Sequence, residues 1–193
     1  VYATNASGNF FLPEPDDEVV VGFMNEDPGH PIILGGVYGE RHKPPYEYEA
    51  KNNTKAIVTR EKMRIEFNEE KKMVKISTPG KNTVEISDDD KHIKLTDQNK
   101  NEIVMNSSGI SFSSAKDITL KAKGAITMDA TSKFSATAKQ DVSLEGLNVN
   151  MQAKVSAAVK GNAKAELSAS GQTTVKGGMV MINSVSYTHL TLP

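Results

Sequence analysis

Apolar residues return at every second position through much of the chain. Met63, Ile65 and Phe67 alternate with Arg64 and Glu66, and the same beat runs through the segments 73–77, 83–87, 92–96, 102–106 and 110–114. A period of two puts successive side chains on opposite faces of a strand, so each segment is expected to bury one face and wet the other. The pieces between them are turn formers: Asn68-Glu69-Glu70-Lys71-Lys72, Thr78-Pro79-Gly80-Lys81-Asn82, Asp88-Asp89-Asp90-Lys91 and Asp97-Gln98-Asn99-Lys100-Asn101. Upstream, 18–23 and 31–35 are two further strand-like runs around Asn25-Glu26-Asp27-Pro28-Gly29, a pattern expected of a small β-barrel remnant. The stretch 39–53 is polar and carries Pro44-Pro45, which disfavours helix and central strand, so it reads as a linker.

Beyond residue 115 the beat tightens. The pairs Ile118/Leu120, Ile126/Met128, Phe134/Ala136 and Val142/Leu144 begin eight residues apart (126−118, 134−126 and 142−134), and Leu147/Val149/Met151, Val155/Ala157/Val159 and Ala163/Ala165/Leu167 continue it after a shift at Glu145-Gly146. A helix would space its apolar residues three and four apart. Each unit reads as five strand residues and three turn residues. Such a strand spans about 17 Å and offers two or three inward side chains, many of them Ala or Ser. Eight residues are too few to close a coil around a core, since single-chain solenoids use roughly 20 or more per coil. Three chains, each giving one face of a triangular prism, would bury the inward residues and pair the strand edges. The expected homotrimer core is therefore Ile118, Leu120, Ile126, Met128, Phe134, Val142, Leu144, Leu147, Val149 and Met151. Met179-Val180-Met181-Ile182 is an apolar block suited to contact or to a last core strand.

Composition agrees with a thin fold. The hydrophobic share is 37% and the aromatic share 6%, with no Trp in 193 residues, which leaves little for a compact single-chain core. The formal net charge of −1, with lysines interleaved among acids, excludes nucleic acid as a partner because phosphate binding needs clustered cations. Without Cys there is neither disulfide nor thiolate metal site. No run of 18 or more apolar residues exists. The opening Val1-Tyr2-Ala3 enters mid-pattern, so the chain is expected to be a piece of a longer one.

Candidate chemistry is sparse. His30, His42, His92 and His189 never stand at metal-ligand spacing, and Asp88-Asp89-Asp90 lacks the Gly and later Glu of a calcium loop. Asp16-Asp17 and Glu69-Glu70 read as turn acids, not as the facing carboxylates of a glycosidase. Ser107-Ser108-Gly109 and Ser168-Ala169-Ser170-Gly171 have no His and Asp partners in the pattern, and no phosphate loop occurs. A non-enzymatic module with no cofactor and no metal is expected.

The segment Phe11-Leu12-Pro13-Glu14-Pro15-Asp16-Asp17-Glu18-Val19-Val20-Val21-Gly22-Phe23, followed by Asp27-Pro28-Gly29-His30-Pro31-Ile32-Ile33-Leu34-Gly35, resembles the end of the OB-fold domain in VgrG-type spike proteins. These belong to type VI secretion and contractile injection systems and are related to phage tail spikes. The resemblance implies an all-β chain: the end of an OB-fold barrel over 1–40, a linker over 41–55, a strand-and-turn region over 56–114 that begins the intertwined shaft, and an elongated triple-stranded β-helix of three chains over 115–183. It also implies a blunt tip around Met179, Val180, Met181 and Ile182, on which a small conical capping protein of the PAAR class or an effector sits. The function so implied is a structural spike, assembled in the bacterial cytoplasm and then secreted or injected. Its partners would be tail tube or baseplate proteins, met through further N-terminal domains, and the envelope of a target cell. Residues 184–193 break the period and are similar to translated sequencing-adapter read-through, so they are expected to be non-native. The repeat by itself leaves open a trimeric fibre or adhesin stalk.

Overall fold

The computed structural model describes residues 5–181. The chain divides into two units, the first ending at Ala125 and the second beginning at Ile126. Apart from one short 3-10 turn, every regular element among the described residues is a strand.

In the first unit, β1 (Val19–Phe23) and β2 (Pro31–Gly36) form an antiparallel two-stranded sheet. Val20 faces Gly35 and Val21 faces Ile33, so Leu34 is the extra residue of a bulge. The connecting loop is closed by its own backbone, with the Met24 N–H on the His30 carbonyl at 3.1 Å and the His30 N–H on the Asp27 carbonyl at 3.0 Å. The Asp27 carboxylate accepts the Gly29 N–H and the His30 ring nitrogen, each at 2.9 Å. The Asp-Pro-Gly-His run is thus a hairpin clasp. The expected end of an OB barrel is represented by this sheet, which does not close.

The second sheet is a seven-stranded meander in which each strand pairs antiparallel with the next: β3 (Thr54–Val58), β4 (Arg64–Asn68), β5 (Met73–Ser77), β6 (Thr83–Ser87), β7 (His92–Thr96), β8 (Glu102–Asn106) and β9 (Gly109–Ser113). The sequence pattern anticipated β5 to β8 to the residue and placed β4 and β9 within one. It missed β3, whose start at Thr54 falls inside the expected linker 41–55. Lys55 beside Ile57 on the apolar face, with Ala56 and Val58 on the other, hides the alternation there.

Hairpin geometry sets this regularity. At one edge Thr59, Thr78 and Asp97 each donate an N–H to the residue four further on and accept one from the lysine three further on. That is a type I turn followed by a left-handed residue, the usual three-residue hairpin loop. Lys62, Lys81 and Lys100 take the left-handed position with φ of 62°, 67° and 69°. At the other edge the left-handed positions belong to Lys72 (47°), Lys91 (52°) and Gly109, whose φ of 117° only glycine tolerates easily. Lys62, Lys81 and Lys100 stand 19 residues apart (81−62 and 100−81) because one complete hairpin consumes that length. This tandem repeat is present in the sequence as lysines 19 residues apart.

Among the described residues, 115–181 contain no strand. The expected octad strands therefore make no ladder within one chain. Five-residue strands joined by three-residue turns, wound about an axis, have no strand of their own chain beside them to pair with.

Candidate functional site

Register turns the meander into two faces of opposite chemistry. Following Cα partners across the sheet, Ile57 stands opposite Ile65, then Ile76, Val84, Leu95, Ile103 and Phe112. Two residues away on the same face, Phe67 leads to Val74, Ile86, Ile93, Met105 and Ile110. Two apolar rows thus run across the sheet, the first over all seven strands and the second from β4 to β9, with Lys55 standing opposite Phe67 on β3. Ten of their thirteen side chains remain 36–67% exposed, Val74, Val84 and Ile103 are half-buried, and no fully buried hydrophobic residue exists among the described residues. Monomeric proteins rarely leave contiguous apolar patches of this extent uncovered.

The other face carries a charge ladder. Its central row runs Ala56, Glu66, Lys75, Glu85, Lys94, Val104, Ser111. Lys75 Nζ lies 3.0 Å from Glu85 Oε2, His92 Nε2 2.9 Å from Glu85 Oε1, and Lys94 Nζ 2.7 Å from Glu102 Oε1. Opposite charges placed directly across a strand pair stabilise the register. The Lys75 ammonium first, helped by His92, holds the Glu85 carboxyl below its ordinary range against the opposing effect of burial. Tyr46 adds a strap from the segment before β3: its hydroxyl donates to Glu66 Oε2 at 2.6 Å while the Arg64 guanidinium sits 5.8 Å from its ring centroid. Partial burial, and then the Glu66 contact, push the Tyr46 hydroxyl up. The paradox is that the polar face is the better covered one. Ser87, on its edge, is 3% exposed.

The carboxylates considered from sequence fall into turns. Asp17 accepts the Glu14 N–H at 2.8 Å and donates its own N–H back to the Glu14 carbonyl at 3.1 Å, so Asp16-Asp17 close a loop. Glu69 and Glu70 pair with Lys55 and Lys51. Asp97 accepts the backbone N–H groups of Asn99 and Asn101, both at 2.8 Å, and these lower its carboxyl's pKa, led by Asn101. Glu85, Asp90 and His92 bring one ligand-type atom each within 4.8 Å of the others. Lys75 already holds Glu85, and Ser87 Oγ donates to Asp90 Oδ2 at 3.2 Å. An incoming cation would meet the Lys75 ammonium, so the arrangement works as an ion-pair knot.

Where β9 ends, Asn101 Oδ1 accepts the Ser114 hydroxyl at 2.9 Å and the Ala115 N–H at 3.1 Å, tying the outgoing chain to the β7–β8 turn. Ile118, one of the expected core residues, then lines a groove of about 550 Å³ with Ile76, Val84, Leu95, Ile103 and Phe112. It extends the first apolar row. The other expected core residues, Leu120, Ile126, Met128, Phe134, Val142, Leu144, Leu147, Val149 and Met151, are brought onto no shared core within one chain; together with Ile118 they are 53–100% exposed. Met179, Val180 and Met181 are likewise exposed. Ile182 and the tail 184–193 lie outside the described residues. The sequence pattern names core residues only after 115, although it begins the shaft at 56, and the two apolar rows upstream emerge only with the register that the 19-residue repeat sets.

Residues 1–38 match the family model described as the type VI secretion system/phage-baseplate injector OB domain. Over 56 residues the chain is 38% identical to VgrG4b, a type VI secretion system spike protein of Pseudomonas aeruginosa strain PAO1. That match covers 29% of this chain and 7% of the relative, so the chain spans a small part of the curated protein it resembles.

Proposed function

We propose, from a VgrG-like injector segment leading into a sheet with one uncovered apolar face, that this chain is a structural part of a spike in a type VI secretion or phage-like contractile machine. Three copies assemble with the apolar rows of their meanders facing one another, and the octads of 115–181 continue the shaft as a triple-stranded β-helix. The work is mechanical: a stiff, narrow shaft transmits the push of the machine to its tip. Met179, Val180, Met181 and Ile182 form a blunt end for a capping protein of the PAAR class or an effector. The spike assembles in the cytoplasm, joins tail tube or baseplate proteins upstream, and leaves the cell on firing toward a target envelope. No step of this work is catalytic.

The observation that carries the reading is the pair of apolar rows from Ile57 to Phe112 and from Phe67 to Ile110, open to solvent in a single chain. Covering half of a large apolar side chain contributes about 1 kcal/mol, so ten such residues supply on the order of 10 kcal/mol per chain toward association. Multi-angle light scattering on the full chain tests it. A mass near three times 20.9 kDa, about 63 kDa, is expected. A monomer at micromolar concentration would remove the physical basis of the spike.

A further inference from the structure

We infer that the two turn edges of the meander are built to meet in the assembly, with the Asp88-Asp89-Asp90 turn of one chain seated between Lys81 and Lys100 of the next. This rests on the trimer proposed above and names the contact that closes it. Successive hairpins send their turns alternately to opposite edges. One edge holds the turns after β3, β5 and β7, with Lys62, Lys81 and Lys100 at equivalent left-handed positions. The other holds the turns after β4, β6 and β8, with Glu69-Glu70, Asp88-Asp89-Asp90 and Ser107-Ser108. The first edge has four cations against two anions; the second has five anions against three cations.

Pairing inside the chain leaves selected groups over. Glu69 and Glu70 are taken by Lys55 and Lys51, Arg60 by Glu14 and Glu61, and Asp97 by its own turn. Lys62, Lys81 and Lys100 on the first edge, and Asp88, Asp89, Lys71, Lys72 and Lys91 on the second, have no ion-pair partner among the described residues, and the Asp88–Lys91 turn keeps three acids against one lysine. A three-fold ring joins unlike surfaces, so one chain's first edge meets its neighbour's second edge. The heights agree as well. Neighbouring strands are about 4.8 Å apart, so turns on one edge recur at about 9.6 Å and the opposite edge is staggered by one strand. The Lys81 turn joins β5 to β6, the Asp88 turn joins β6 to β7, and the Lys100 turn joins β7 to β8. At equal height, the acidic turn falls midway between the two lysines.

The test is a charge swap in the full chain, read as the concentration at which half the chains are assembled. Lys81→Glu with Lys100→Glu, and separately Asp88→Lys with Asp89→Lys, should each raise that concentration by about tenfold or more at low salt, because each reversal turns attraction into repulsion at every interface. Combining all four reversals in one chain should bring it back to within about threefold of the unmodified value. If the combined variant instead shows the product of the two losses while the unmodified chain is a trimer, the edge contact is wrong and the trimer stands. If the unmodified chain has the mass of a monomer, the contact falls together with the trimer.

Discussion

Ile76 is third of seven in the first apolar row, between Ile65 on β4 and Val84 on β6, and it is 47% exposed in the single chain. If the meander worked alone, Ile76→Asp would place a carboxylate at a half-wet surface and cost about 0.5 kcal/mol. In the assembly the same change forfeits about 1 kcal/mol of apolar burial and strands a charge among isoleucines, which adds roughly 2 kcal/mol even after partial relaxation. About 3 kcal/mol per chain is about 9 per trimer, or some six powers of ten in the trimer association constant. The half-assembly concentration varies as the square root of that constant, so it should rise by about a thousandfold. Sedimentation velocity over a dilution series reads this directly. Tyr48→Asp, 90% exposed and off the sheet, is the control and should leave the distribution unchanged. An Ile76→Asp chain that still sediments as a trimer at the same concentrations would refute the view that this face is an interface.

Two further outcomes follow from the polar face and the turns. Lys75 and His92 depress the pKa of Glu85 below its ordinary value of 4.5, so this group's contribution to stability is present above pH 4.5 and is lost as pH falls through the lower folded value; the thermal midpoint should drop in that window, and Glu85→Gln should flatten the slope. Lys72 holds a left-handed position at φ 47°, so Lys72→Gly should stabilise by about 0.5–1 kcal/mol and Lys72→Val should destabilise by a similar amount, as read by chemical denaturation; equal midpoints for the two variants would mean that the turn carries no conformational strain.

Much of the sheet was legible because the features that specify it are local. Alternation of period two marks a strand whatever lies beside it, and Thr78-Pro79-Gly80-Lys81 or Asp97-Gln98-Asn99-Lys100 marks a tight turn through its own hydrogen bonds. β3 was lost where Lys55 breaks the alternation on the apolar face, opposite Phe67. The octads alternate on the same period, yet no strand forms among the described residues of 115–181, because a ladder needs a neighbour and eight residues cannot bring one from the same chain.

The residues by themselves thus determined which segments alternate, where the chain turns, and that little apolar mass is available for a closed core. Tertiary structure decided which alternating residues share a row. Whether Ile57, Ile76, Leu95 and Phe112 form one stripe or four scattered positions depends on strand register, which the hairpin loops set and which a one-residue slip would invert. Register also placed Glu85 between Lys75 and His92 and sent Lys81 and Asp88 to opposite edges. These are relations between residues brought together across strands, and no window of sequence contains them.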